Sequence, residues 1–247
     1  MNNNYWLNAL RSLWRLARRS PRRFLRDTIT AGLRAESEDA ARMGAAWREI
    51  FDAFPGVDRV NVAMGTIRYT NTNLDPFEQF ALGAICQLRK PRRIFEIGTF
   101  DGASTMILAL SAPDAEIFTL DLPPDAASTS TDAVEAANAA AGLVGVRFRD
   151  TPQAKQITQL FGDSRRFDFS PWYGTVDLVL VDAGHDYEFV ASDTRSALRL
   201  LAPGGVIIWD DYMPYFPGVV RAVDESGISV FHLTRSDFAI HDSASGS

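Results

Sequence analysis

The sequence has a single cysteine, Cys86, among 247 residues. One thiol excludes an internal disulfide and a zinc site built on cysteines, so nothing argues for an oxidising compartment. A reduced cytoplasm is the expectation, with Cys86 read as a small apolar residue on a helix over Pro76–Leu88. Near the start, the apolar run is far too short to span a bilayer, and arginines interrupt the stretch where a secretory signal keeps its apolar region. Basic charge is scarce later on: after residue 34, 17 bases face 30 acids, a balance of -13. That body lacks the clustered Lys and Arg that neutralise phosphates, which excludes general nucleic-acid binding. The dinucleotide fingerprint G-x-G-x-x-G is also missing.

What is present begins with a contrast. Residues 1–34 carry eight arginines against one acid, Asp27, a balance of +7 within a net charge of -6. Trp6, Leu7, Leu10, Leu13, Trp14 and Ala17 recur at helical spacing, and Arg11, Arg15, Arg18 and Arg19 fill the rest. This basic amphipathic segment fits three roles: packing on its own domain or a second subunit in a homodimer, peripheral contact with an anionic membrane, or a transit-like presequence. Residues 35–90 read as a helical cap region. Met43, Trp47, Ile50, Phe51 and Phe54 form a helical stripe ended by Pro55-Gly56, and Asp75, Pro76 and Glu78 make a capping-box start to the next helix.

From residue 91 to 247 strands and helices alternate. Strands are expected at Ile94–Ile97, Ile117–Leu120, Val146–Phe148, Val176–Val181 and Val206–Trp209. Helices are expected at Ser104–Leu110, Thr131–Ala141 and Ala154–Leu160, and from after Val181 to Leu201. Ile228–Leu233 and Phe238–Ile240 read as an antiparallel pair at one edge. The fold class is therefore α/β, a Rossmann-like doubly wound, mostly parallel sheet of seven strands with right-handed crossovers.

The organising stretch is Arg92–Ser104, R-R-I-F-E-I-G-T-F-D-G-A-S, a buried strand, a glycine turn and a helix start. Acids stand at the carboxyl ends of the strands: Glu96 and Asp101, then Asp121, Asp182, and the pair Asp210-Asp211. Parallel strands gather those ends on one sheet edge, where open α/β sheets bind ligands. The Gly98–Gly102 spacing and the Asp101 charge are unsuited to a pyrophosphate, and suit a ligand with a cationic or hydrogen-bond-donating end.

The runs I-F-E-I-G-T-F-D-G-A-S-T, F-T-L-D-L-P-P, G-D-S, V-D-L-V-L-V-D-A-G-H-D-Y and L-A-P-G-G-V-I-I-W-D-D-Y occur in that order. Together they resemble class I S-adenosylmethionine-dependent methyltransferases, most closely the bacterial small-molecule and sugar O-methyltransferase-like group of methyltransferase family 24 type. The resemblance implies that residues 91–247 bind S-adenosyl-L-methionine. Glu96, Gly98, Thr99, Asp101, Gly102 and Ser104 would surround its methionine portion. Asp121 would accept from the ribose hydroxyls, Leu122 would pack on the adenine, and Asp163 and Ser164 would reach its polar edge. Asp182 would lie nearest the transferred methyl.

Metal-dependent members of the wider group imply more. Asp182, Asp210 and Asp211 would hold Mg²⁺ or another hard divalent cation, a ligand set unsuited to zinc. His185 would take the proton of a small-molecule or sugar hydroxyl. Tyr212, Tyr215 and Phe216, or the stretch Tyr69–Asn73, are open to a role as pocket roof or as core. Arg165, Arg166 and Trp172 are open to substrate contact or to solvated charge. Two rival readings stand beside this one: an NAD-dependent oxidoreductase or epimerase, which needs the missing phosphate-cradling glycines, and a non-catalytic cofactor-binding protein docked to a membrane by its arginines.

Overall fold

The computed structural model describes residues 44–65, 73–123, 125 and 133–244. The basic segment 1–34, the start of the helical region after it and residues 69–72 lie outside the described residues. The first elements are β1 (Ala46–Arg48), α1 (Ile50–Ala53), α2 (Pro76–Arg89), β2 (Arg93–Ile97), α3 (Ala103–Ser111), β3 (Glu116–Asp121) and α4 (Ala133–Ala140). They are followed by β4 (Ile157–Phe161), β5 (Val176–Val181), α5 (Tyr187–Leu200), β6 (Leu201–Trp209), α6 (Pro217–Asp224), β7 (Phe231–Leu233) and β8 (Ala239–Asp242).

One mixed sheet of eight strands runs β1-β7-β8-β6-β5-β2-β3-β4. Only β8 is antiparallel to its neighbours, β6 and β7. Strand order reverses between β2 and β5, which leaves a crevice above their carboxyl ends.

Alternation along β2 fills the two faces differently. Ile94 joins Leu82 and Ile85 of α2, Leu108 of α3, and Ile117, Leu178 and Leu180 of the sheet in one buried core. Phe95 looks the other way, stacked on Phe118 at 6.2 Å and edge-on to Phe169 and Trp172 at 5.4 Å each. On that same face Trp209 Nε1 donates to Thr194 Oγ1 at 2.9 Å and ties β6 to α5. Each such buried side chain stabilises the fold by roughly 1.5–3 kcal/mol. Trp172 is thus packed into the aromatic cluster under the sheet.

α2 starts as its sequence requires. Asp75 Oδ1 accepts from Phe77 N at 2.7 Å and Glu78 N at 2.8 Å, and Asp75 N donates to Glu78 Oε2 at 2.8 Å. The reciprocal bonds satisfy donors that a helix start leaves open.

Four expectations are corrected. Residues 46–48 are a strand within the expected helical stripe, because the outer edge of β7 offers backbone partners and Thr234 N donates to Arg48 O at 2.9 Å. This strand raises the count from seven to eight. Of the stripe, Ile50 and Phe54 are buried while Phe51 is exposed. Val146–Phe148 is a turn. Gly145 has φ +67°, and Gly145 N and Arg147 N donate to Phe100 O and Asp101 O at 2.9 and 3.0 Å. Those bonds strap the segment to the central turn.

The next strand is β4, where a helix over Ala154–Leu160 was expected; the free edge of β3 pairs with it from Ile157 to Phe161. Pro203-Gly204-Gly205 lies inside β6, as a bulge in which the register steps from Leu201 opposite Val176 to Val206 opposite Leu178. The C-terminal antiparallel pair forms as expected, although β8 sits between β6 and β7 and β1 takes the outer edge.

Tyr212 is fully buried, which settles it as core. Its hydroxyl accepts from Ala45 N at 3.1 Å and donates to Asp224 Oδ1 at 2.6 Å. Tyr212→Phe leaves two partners short of a bond and is expected to cost about 1–3 kcal/mol in chemical denaturation. An unchanged midpoint would show that the hydroxyl joins nothing of consequence.

Candidate active site

Gly98 ends β2 with φ +105°, and a Cβ there would stand 1.8 Å from the carbonyl oxygen of Asp182. The two strand ends are also bonded directly, Asp182 N to Ile97 O at 2.8 Å, while Gly98 N donates to Leu120 O at 2.8 Å. Only glycine meets both the conformation and the approach. Gly102, φ +88°, opens α3 with its own Cβ position 2.7 Å from the Phe148 ring.

Between those glycines the turn grips Asp121 at the end of β3. Thr99 N and Phe100 N donate to its Oδ2 at 3.1 and 2.7 Å, and Leu122 N to its Oδ1 at 2.6 Å. Burial pushes the Asp121 carboxyl up and these N–H donors oppose the rise. Asp121, Leu122, Gly98, Asp163 and Ser164 line a narrow cleft of about 60 Å³. Asp163 pairs with Arg165 at 2.8 Å, which holds its carboxyl below the usual range and gives that arginine a structural partner.

A second, wider cleft of about 410 Å³ adjoins the first, and Asp182 and Phe100 line both. Thr99, Ser104, His185, Asp210 and Asp211 face this second space. Asp182, Asp210 and Asp211 each offer a carboxylate oxygen, all within 4.8 Å of one another. Burial and the charges of Asp182 and Asp211 push Asp210 well above the ordinary carboxylate range. His185 Nε2 lies 2.9 Å from Asp211 Oδ2, and its ring packs on Phe216 with centroids 4.5 Å apart. Phe216 lines the cleft, whereas Tyr215 is exposed.

Two expected ligand-facing acids are placed elsewhere. Glu96 is wholly buried beneath the turn, its Oε2 accepting from the Thr105 and Thr119 hydroxyls at 2.5 Å each. Burial pushes its carboxyl up to about 7, so it is a polar node of the core. The strand alternation that sends Ile94 toward α3 sends Glu96 there too. Asp101 pairs with Arg147 at 2.7 Å and accepts from Ala103 N at 3.1 Å, so its charge is met on the far side of the turn. It lines neither of the two clefts.

Other wall residues went unrecognised in the sequence. Glu78 and Asp75 of the capping box and Arg235 and Asp237 of the β7–β8 turn face the wider cleft, beside Asn73, the end of the stretch expected as roof or core. Glu78 Oε1 accepts from Asp237 N at 2.8 Å, which joins the two elements. Burial pushes Glu78 up to about 7 and Asp237 up to about 6. The capping pattern was the one available signal, and it spoke only to helix formation. Among the described residues no helix is long and apolar enough to cross a membrane.

Residues 95–212 match the family model described as a methyltransferase domain. No protein with a curated description matches the sequence. Among solved structures, an S-adenosylhomocysteine-bound methyltransferase from Podospora anserina aligns with TM-score 0.51 at 18% identity, over 85% of this chain and 94% of its own. A Bacillus cereus O-methyltransferase bound to S-adenosylhomocysteine gives 0.47 at 19% identity, over 69% and 82%. A Streptomyces achromogenes O-methyltransferase in complex with S-adenosylmethionine gives 0.47 at 21%, over 83% and 94%. The domain match takes in Gly98, Asp121 and Asp163 of the narrow cleft and Asp182, His185 and Asp210 of the wider one, so residues 95–212 are similar to a methyltransferase domain.

Proposed function

We propose that the protein transfers the methyl group of S-adenosylmethionine to a hydroxyl of a small molecule or sugar, with a hard divalent cation held by Asp182, Asp210 and Asp211. The observation that carries this reading is the gathering of those three carboxylates, within 4.8 Å, where the two clefts meet. Octahedral coordination of Mg²⁺ at about 2.1 Å sets its ligand oxygens roughly 3–4 Å apart, and an all-oxygen set favours such an ion over zinc. The donor set fits such an ion, and a cation there would offset the burial and the Asp182 and Asp211 charges that push the Asp210 carboxyl up.

The narrow cleft is the cofactor's place in this reading. Asp121, fixed by three backbone donors, accepts from the ribose diol with its remaining lone pairs. Leu122, Asp163 and Ser164 take the adenine. Gly98 lines this cleft and Thr99 and Ser104 the wider one, beside the methionine portion, while Gly102 lines neither and makes room for the Phe148 ring. The cofactor supplies an electrophilic methyl on a sulfonium, and the cation lowers the pKa of a hydroxyl held next to it.

Asp182, lining both clefts, stands at the junction where the hydroxyl oxygen and the methyl carbon would meet. His185, oriented by the 2.9 Å contact of its Nε2 with Asp211 Oδ2, is the base that takes the hydroxyl proton in this reading. Phe216, against the imidazole ring, limits its rotation and shields it from water. Holding two reactants in contact contributes much of the rate. Asp75, Glu78 and Asp237 on the facing wall disfavour phosphorylated or carboxylated substrates and favour neutral or cationic hydroxyl compounds.

Three outcomes test the reading. Asp121→Ala is expected to weaken S-adenosylhomocysteine binding by about ten-fold or more in calorimetry, the scale of a lost charged hydrogen bond. Mg²⁺ at about a hundred times its Kd is expected to add about 2.7 kcal/mol of stability to the wild type and none to an Asp182→Asn/Asp210→Asn double variant. A metal-independent melting curve in both would remove the cation. His185→Ala is expected to lower kcat on the order of 10²–10⁴-fold with cofactor affinity nearly unchanged, and near-normal turnover would remove the base.

A further inference from the structure

α5 runs behind the narrow cleft, and two of its residues one turn apart meet the loop after β4. Phe189 lines the cleft and carries the Arg165 guanidinium 4.0 Å above its ring. Asp193, four residues on, is only 1% exposed, and its carboxylate oxygens make no hydrogen bond of full geometry, although the Ser164 hydroxyl stands close enough to interact with them. A buried carboxylate so weakly satisfied is costly in its ionised form. The neighbouring bond from Trp209 Nε1 to Thr194 Oγ1 fixes the rotation of α5 and prevents Asp193 from turning out to solvent.

The charged groups around Asp193 come from two elements. Asp163 and Arg165 stand on the loop after β4, and Arg195 on α5 itself. Burial and Asp163 push the Asp193 carboxyl up to about 7, against the two arginines and the Ser164 hydroxyl. Ser164 is the link: it lies close enough to Asp193 to oppose that rise, and it also lines the narrow cleft.

We propose that Asp193 is a positioning residue of the cofactor cleft, its carboxyl donating to the Ser164 hydroxyl oxygen from behind so that Ser164 presents its own proton to the adenine. This rests on the reading of the narrow cleft as the adenosine site. A serine hydroxyl has one proton and two lone pairs, so what stands behind it decides where the proton points. A protonated Asp193 donates to Ser164 Oγ and leaves the serine proton aimed into the cleft. An ionised Asp193 only accepts, draws that proton back and presents lone pairs to the ring. No bond to the cofactor is made or broken, and Asp193 does not touch it.

The test is calorimetric titration of S-adenosylhomocysteine into the full-length protein at about pH 6 and about pH 8.5. Wild type is expected to lose about five-fold in affinity between them, the scale of one hydrogen bond. Asp193→Asn carries a permanent N–H donor in nearly the same shape, and is expected to keep the low-pH affinity with that pH dependence abolished. Ser164→Ala is expected to be weak at both pH values and equally flat. Asp193→Asn or Ser164→Ala with the full wild-type slope would overturn the proposal, because every other titrating group is shared. Loss of binding in Asp193→Asn at both pH values, with an unchanged circular dichroism spectrum, would overturn it too. Absence of binding by the wild type would instead remove the cofactor reading, and this inference with it.

Discussion

Position 98 admits a hydrogen atom and nothing larger. The Asp182 carbonyl oxygen lies where a side chain would begin, so the ends of β2 and β5 are held backbone to backbone across the point where strand order reverses. Had the two ends been spaced by a methyl group, Asp182 would move away from the turn and cease to line both clefts. The turn beyond Gly98 then aims two N–H groups at Asp121 on the other neighbouring strand. One backbone approach therefore fixes an acid on each side of the central strand, and the division into a narrow and a wide cleft follows from it. A fixed constellation of this kind needs no reorganisation when ligands arrive, which is where positioning gains its rate advantage.

The turn is supported from below by polar groups rather than by hydrocarbon. Thr105 and Thr119 both donate to Glu96, Thr99 Oγ1 and Thr119 Oγ1 lie 2.6 Å apart, and Gln159 Nε2 donates to Thr99 Oγ1 at 3.0 Å. Such a network is directional where packed hydrocarbon is not, so it fixes the rotation of the turn as well as its height. The aromatic cluster of Phe95, Phe118, Phe169 and Trp172 does the corresponding work on the other face, anchoring the loop that carries Asp163 and Ser164 to the cleft.

Much of this was legible in the sequence, for a physical reason that also marks where legibility ends. β2, β3 and β5 are short apolar runs buried on both faces, and their signal comes from composition alone. Asp75 and Glu78 announce a helix start through spacing alone. β1 and β4 are different: each is a strand because a neighbouring edge offers hydrogen bonds, so local pattern gave a helical stripe over residues 43–54 and a helix over 154–160. The site follows the same division. Asp121, Asp182, Asp210 and Asp211 end strands, and strand ends can be located along the chain. Glu96 and Asp101 depend on which way one side chain turns, and the partners that decide it, Thr105, Thr119 and Arg147, become neighbours only after folding.

The far wall of the wider cleft shows how a structural device acquires a chemical consequence. Glu78 closes the capping box at the start of α2 with one oxygen and holds the backbone of Asp237 with the other. Both bonds stabilise the fold and would be made in a protein that binds nothing. They also place two desolvated carboxyls opposite the Asp182, Asp210 and Asp211 group, with Arg235 as the wall's basic residue. Each acid on one wall raises the cost of ionising those on the other, and a cation entering between them lowers that cost for all at once. The acidity of this cleft thus grows out of how a helix begins and how a two-stranded turn is tied to it.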